Sequence, residues 1–292
     1  MKNIILYHYT TVEGLKGIIE NKNLRATRIE FLNDSSEKKY IHDLINEIRN
    51  SDKEFKDIYD TLNSDFISLL EPPMSALFDR LLGKDGKLYV ISLCKQQDLL
   101  PMWNLYSRGN GYSIGINIDT FTDMITNSSA KINLYEILYD KDEQLKKIKQ
   151  DMKKMFSHKI SDYKKRSGSF LNGADEEGDD FIIYTLKDFF NLHFQYYNYF
   201  KHPCFSNECE TRISIELVDN KDFPAKYRTT AGGMFIEYIE LPFEISNEYL
   251  FADITLHPCL TDIHKSGIDC FLQTHNLEYV PTSISSLPFR NL

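Results

Sequence analysis

The sequence predicts an α+β fold, because candidate strands are spread along the whole chain and helical patterns cluster between them. At 292 residues there is room for two domains or one enlarged domain, and a composition 13% aromatic and 26% charged folds rather than staying disordered. The 34 Lys and Arg against 43 Asp and Glu leave a net charge of −9, which excludes indiscriminate attraction to nucleic acid or anionic lipid. The opening MKNIILYHYTTVEGLKG lacks a signal-peptide core, and no stretch reaches the roughly 18 apolar residues of a membrane span. These features predict a soluble cytoplasmic protein. Five cysteines without a C-x-x-C pair predict mostly reduced, buried thiols.

The first strand is the apolar run Ile4 to Tyr7, ending at His8. Thr10 and Glu13 have capping-box spacing, and Val12, Leu15, Ile18 and Ile19 continue a helix to Asn21. Leu24 to Asn33 reads as extended, and Asp34 with Glu37 opens a helix through Tyr40, Leu44, Ile45 and Ile48. Residues 53 to 82 are helical with a break at Pro72 and Pro73, and Gly83 to Gly86 is a turn. Leu88 to Leu93 and Tyr112 to Ile118 read as strands, the second alternating with period two. Between them the single tryptophan, Trp103, is expected to anchor packing beside a glycine-rich turn. Further on, Glu210 to Leu217, Gly232 to Leu241 and Leu250 to Leu256 read as strands, followed by a helix from Thr261 to Gln273 and a last extended stretch.

Asp140 to Arg166 is a long helical stretch with ten Lys and Arg against five acids, a local +5. The acidic loop Gly173 to Asp180 and an aromatic-rich helix from Phe181 to Phe200 follow it. A solvated helical insertion over about 140–200 accounts for this run. The sharper reading makes the basic helix 140–166 a docking surface for nucleic acid or an acidic protein.

Three places combine polar groups with strand context. His8, Tyr9 and Thr10 end the first strand, where an imidazole and a hydroxyl can bind a ribose or an amide, or serve only as core histidine and helix cap. In strand geometry Glu208, Glu210 and Arg212 share one side, so two carboxylates crowd beside a guanidinium, either on an exposed face or in a cleft suited to acid/base work. Ser92, with Trp103 and Tyr106 shortly after it, could line a pocket for a planar ring, although core packing explains the aromatics equally well. His202, Cys204 and Cys209, and the second HPC at His257 and Cys259, do not match zinc-ligand spacing, and no metal is expected. The usual dinucleotide, P-loop, zinc-protease and hydrolase motifs are absent from the sequence.

Several stretches together resemble a bacterial family, domain of unknown function 2971: LYHYTTVEGLKGIIENKNLRATRIEFLNDSSE at 6–37, YVISLCKQQDLLPMWNLYSRGNGYSIGIN at 89–117, KHPCFSNECETRISIE at 201–216 and YRTTAGGMFIEYIEL at 227–241. The terminal ITLHPCL and LPFR segments are similar too, so the resemblance runs end to end apart from the helical insertion. The pattern is in turn similar to the ADP-ribosyltransferase superfamily. That resemblance implies one domain over 1–292 with a split mixed β-sheet core, NAD as substrate and no metal. It implies His8 and Thr10 on the NAD ribose and nicotinamide, Ser92 at the middle-strand position, and Glu210 as catalytic acid with Glu208 as competitor. Tyr106 or Tyr112 would face the nicotinamide, and Arg25, Arg28 or Arg212 would meet the pyrophosphate through bidentate guanidinium contacts. The middle strand carries Ser-Leu-Cys in place of a full Ser-Thr-Ser pattern.

The expected activity is therefore transfer of ADP-ribose to a macromolecule, nucleic acid or protein, by a toxin or antiphage defence effector. The alternatives are an NAD glycohydrolase and a catalytically inactive nucleotide-sensing or interaction module; a metal-dependent nuclease built on Glu208 and Glu210 is a third.

Overall fold

A computed structural model describes residues 4–32, 36–69, 87–107, 109–125, 130–170, 176–217, 221–230, 232–244 and 249–288, without the side chains at 36–38, 68–69, 168–170 and 176–180. The expected Asp34 and Glu37 cap, the Pro72–Pro73 break, the Gly83 to Gly86 turn and residues 173–175 of the acidic loop lie outside the described set. The chain divides into two units: Met1–Leu32, Lys87–Glu136 and Ser206–Leu292 form a sheet unit, and Asn33–Gly86 and Ile137–Phe205 form a helical one.

Among the described residues the sheet unit holds ten strands: β1 (Ile5–Thr10), β2 (Asn23–Arg28), β3 (Lys87–Cys94), β4 (Tyr112–Asn117), β5 (Lys131–Glu136), β6 (Glu210–Leu217), β7 (Lys226–Thr229), β8 (Phe235–Pro242), β9 (Phe251–Leu256) and β10 (Thr282–Ile284). Only β9 and β10 pair in parallel; the other ladders are antiparallel. The order β10-β9-β4-β1-β3-β2-β8-β7 conceals a division at β3. One edge of β3 pairs along its whole length with β6. Its other edge is shared: Tyr89 and Val90 pair with β2, and Cys94 pairs with Tyr7 of β1. From there β1 departs to pair with β4, and β2 departs to pair with β8. The backbone around Ser92 thus lies at the point where two strands diverge.

Because residues directly opposite in a ladder share a face, the register sorts the side chains of this sheet into two sets. One set is apolar: Leu6, Ala26, Ile91, Leu93, Ile114, Ile213, Ile239 and Ile254 are all buried. These pack with Leu15 and Ile19 of α1 (Val12–Asn21), Phe121 and Ile125 of α5 (Ile118–Ile125), and Ile268 and Leu272 of α9 (Asp262–Thr274). A cleft of about 300 Å³ opens beside this core between α5, β5 and β6, lined by Ile118, Ile132, Leu134 and Asp119 among others. The helix cap differs from expectation by one residue. Thr11 caps α1 by accepting from the Gly14 N–H at 3.1 Å, while Thr10 remains the last residue of β1.

The helical unit contains α2 (Ser36–Ser51), α3 (Lys53–Leu69), α6 (Lys141–Phe156), α7 (Ile160–Phe170) and α8 (Glu176–Tyr199). Apolar residues at helical spacing, Ile41, Leu44, Ile45 and Ile48 in α2 and Ile148, Met152 and Phe156 in α6, meet Ile182, Leu186 and Phe189 of α8 in one core. Two features depart from the sequence reading. The acids from Glu176 to Asp180 lie in the first turns of α8 instead of a loop, and the basic stretch is two helices. Seven of its ten cations, at 141, 147, 149, 153, 159, 164 and 165, are ion-paired within this unit. Lys149 and Lys153 share Asp52, and Lys164 pairs with Asp57. Most of these cations remain exposed to solvent, and the pairs of 141, 149, 153, 159 and 164 also tie the run to other segments of the unit. The five cysteines are free thiols as expected, but only Cys94 is buried, and Cys204 and Cys270 are exposed.

Candidate functional site

The second face of the sheet is polar and is built as two rows across the strands. Asp253, Gly115, Tyr7, Cys94 and Glu210 form the first row, each opposite the next in the ladder. The second row places Thr255, Ser113 and Tyr9 on one side of the divergence, and Ser92, Arg212 and Tyr135 on the other. The approach is close at Gly115, where a Cβ would stand 2.9 Å from Asp253 Oδ2 and 3.1 Å from the Tyr7 ring, so the Asp253 side chain would have to shift.

Part of this face is closed by α4 (Leu100–Tyr106). Trp103 is fully buried and stands edge-on to Tyr9 at 4.8 Å and to His257 at 5.5 Å. Its Nε1–H donates to Asp98 at 2.7 Å, and the Ser285 hydroxyl donates to the same carboxylate at 2.7 Å. The Tyr9 hydroxyl donates to the Gln96 carbonyl and accepts from the Leu99 N–H, both at 2.9 Å. Trp103 is therefore the packing anchor expected of it.

Glu210 and Arg212 are both buried in β6 and joined twice, Nε to Oε1 at 2.7 Å and Nη2 to Oε2 at 3.3 Å. Ser92 is Arg212's partner across the ladder, and its side chain is exposed although its neighbours on β3 are buried. Glu208 does not join them by strand alternation. It ends a 3-10 turn (Pro203–Glu208), and Cys209 at φ 46° interrupts the extended backbone before β6 begins. The expected shared side for residues 208, 210 and 212 holds only for the last two.

The register places His8 on the other face, opposite Ile114, yet its ring lies within hydrogen-bonding reach of the Ser92 backbone, where β1 and β2 part. Burial lowers its pKa to about 4 despite that contact, so the imidazole is neutral near pH 7. Thr10 pairs with Tyr112 on the same side as His8. A Cβ at Gly14 would stand 2.0 Å from the Thr10 hydroxyl, which therefore packs on the start of α1. Tyr112 is 7% exposed within the apolar core, whereas Tyr106 packs half-buried against Tyr9 and Trp103. The structure thus sets Ser92, Arg212 and Glu210 on the polar face with Tyr106 on that side, and His8, Thr10 and Tyr112 on the other face, with only the His8 ring reaching the Ser92 backbone.

The remaining arginines already hold carboxylates. Arg25 is half exposed, stacks 4.9 Å over Tyr238 and stands 3.6 Å from Glu240. Arg28 binds Glu30 at 2.9 Å and Glu237 at 3.1 Å. Glu237 is a centre the sequence reading missed. Burial alone would raise its pKa, but hydrogen bonds from Tyr89 and Lys87 and the charge of Arg28 hold it down to about 2. Its signal was the strand order: β2, β3 and β8 converge on it, and their register is not written in any one segment. Tyr7 and Asp253 were missed as well. Tyr7 could have been found from the period-two alternation in LYHYT, which sets Tyr7 and Tyr9 opposite to His8. Both HPC motifs prove to be local turns, in which the ring Nδ1 of His202 or His257 accepts from the N–H of Cys204 or Cys259.

The family model described as protein of unknown function (DUF2971) matches residues 102–213. That span includes Trp103, Glu208, Glu210 and Arg212 together with the helices α6 to α8, and leaves His8 and Ser92 outside. The similarity is thus placed otherwise than the residue patterns implied: the helical insertion belongs to the matched region, and 6–37 and 227–241 do not. No curated protein and no solved structure matches the chain. Among the described residues, no helix is long and apolar enough to cross a membrane.

Proposed function

We propose that the protein is an NAD-consuming enzyme of ADP-ribosyltransferase type that modifies a macromolecule, nucleic acid or protein. The observation that carries this reading is the neutral His8 ring against the Ser92 backbone at the divergence of β1 and β2, one ladder step from Arg212 and Glu210. A neutral imidazole can both donate to and accept from ribose hydroxyls. Cleavage of the nicotinamide–ribose bond develops positive charge on the ribose, as in glycoside hydrolysis, and a fixed carboxylate stabilises that charge. Arg212 fixes the Glu210 carboxylate in one orientation. Arg25, the more exposed of the two β2 arginines, is the better placed to exchange its distant carboxylate for a pyrophosphate. An acceptor would use the exposed Lys146 and Lys154 of α6, and the toxin or antiphage role rests on the family resemblance alone.

A second reading, a nucleotide-binding module without catalysis, is favoured by one observation: both oxygens of Glu210 are held by a buried arginine. Incubation of the full chain with NAD separates the two. Release of nicotinamide, reduced at least about a hundredfold in Glu210→Gln and His8→Asn, is expected for the enzyme. A rise in melting temperature with NAD but no nicotinamide supports the module. Neither response defeats both readings, and nicotinamide release without a labelled acceptor identifies hydrolysis by water.

A further inference from the structure

Cys94 and Cys209 meet at the edge of the candidate site from two directions. Cys94 ends β3, is buried, and is the ladder partner of Glu210. Cys209 stands between the 3-10 turn and β6, half-buried, and its carbonyl accepts from the Lys95 N–H at 2.9 Å. Regular alternation would turn Cys209 away from Glu210's face. Its left-handed backbone, φ 46°, instead lets it pack against Cys94 in the cluster that contains Tyr9 and Trp103. Gln96 touches both sulfurs: its backbone N–H donates to Cys94 Sγ at 3.3 Å, and its side-chain amide donates to Cys209 Sγ at 3.5 Å. Cys209 immediately precedes Glu210, the ladder partner of Cys94, and a disulfide spans Cα atoms about 4.4–6.8 Å apart.

We propose that Cys94 and Cys209 form a redox pair that closes to a disulfide and regulates this site, an inference that rests on the reading of Glu210 as part of the site. The oxidant is a hydroperoxide. The accessible Cys209 thiolate attacks the peroxide oxygen, the O–O bond breaks, and Cys209 becomes a sulfenic acid with release of hydroxide. Cys94 sulfur then attacks Cys209 Sγ, the S–O bond breaks, and the Cys94 proton leaves with the oxygen as water. Burial, and then the nearby Cys209, Glu208 and Glu210, push the Cys94 thiol up to about 11, so Cys209 and not Cys94 meets the peroxide first. The bridge takes Cys209 away from Gln96 and ties the turn carrying Glu208 to the end of β3. The turn carrying Glu208 is then locked beside Glu210, and NAD binding weakens.

The test treats the full chain with hydrogen peroxide, blocks remaining thiols and maps the peptides. A Cys94–Cys209 link, two hydrogens lighter, absent in Cys209→Ser and reversed by dithiothreitol, is the expected result. NAD affinity should fall about tenfold in the oxidised wild type and stay unchanged on peroxide treatment of Cys209→Ser. Links confined to the exposed Cys204 and Cys270, or Cys209 remaining open to alkylation after oxidation, would overturn the pair. A mapped bridge with equal NAD affinity in both states would overturn the regulation. If the reduced protein binds no NAD, the NAD reading fails and the regulation with it, while the map alone still decides the pair.

Discussion

Arg212 grips Glu210 from two positions along the same strand, and neither side chain is more than 5% exposed. Residues two apart on a strand share a face, so the pair forms within β6 itself and arrives preassembled with the strand. Removing Arg212 takes two charge-assisted hydrogen bonds from a buried carboxylate. Arg212→Ala should cost about 3–5 kcal/mol in denaturant unfolding, whereas the double change Arg212→Leu with Glu210→Leu should recover most of that loss. A single Arg212→Ala cost below about 1 kcal/mol would mean that the pair is solvated.

Two glycines of one loop separate steric from conformational cost. At Gly111 a Cβ would stand 2.1 Å from the Thr10 carbonyl oxygen and 2.8 Å from Ser107 Cα, so backbone would have to move. Gly109 has open space around it but sits at φ 82°. Gly111→Ala should destabilise by about 3 kcal/mol, and Gly109→Ala by only about 1 kcal/mol. Thermal melts of both variants read the difference; equal losses would contradict the backbone contact at Gly111.

Acid should weaken the protein in two stages. His8 has a folded-state pKa lowered to about 4 from 6.5, and His193 is lowered by burial as well. The unfolded chain therefore binds these protons first, so the stability they contribute is complete above about pH 6.5 and is lost as pH falls toward 4. Glu237, held down to about 2, contributes stability above its usual range near pH 4.5 that is lost only below it. Denaturation midpoints at pH 8, 6 and 5 should decline, and His8→Asn should flatten that slope. An unchanged slope in the variant would show that His8 titrates normally in the fold.

The two central strands were legible because Leu88 to Leu93 is apolar except at Ser92 and Tyr112 to Ile118 alternates between clear turn signals. β5 was not, since its residues alternate only between exposed and half-buried, the pattern of an edge. The identity of the site residues was readable, but the face of each was not. Faces follow from register, and register is set by strands more than a hundred residues apart, as with Cys94 and Glu210. The Cys209 backbone, which removes Glu208 from the strand, leaves no pattern in the segment itself. The pairing of the basic run was hidden for a related reason: its partners Asp52, Glu54 and Asp57 come from a segment about a hundred residues earlier, so a local charge count sees the cations alone.

Trp103 offers the most direct view of the polar face, because it is the single tryptophan and is fully buried. Its indole N–H and the Ser285 hydroxyl both end on Asp98, so that carboxylate joins α4 to Ser285, the residue after β10. Asp98→Ala leaves two donors in a largely buried setting without their acceptor, which should cost about 2–3 kcal/mol. Because the ring stands on Tyr9 and His257, the same substitution should loosen α4 and shift tryptophan emission to longer wavelength before global unfolding. Trp103→Phe keeps the apolar volume in part but removes the donor, and should cost less than Trp103→Ala, for which about 3–5 kcal/mol is expected. Emission of the native protein that already matches a solvated indole would contradict the closure of this face by α4.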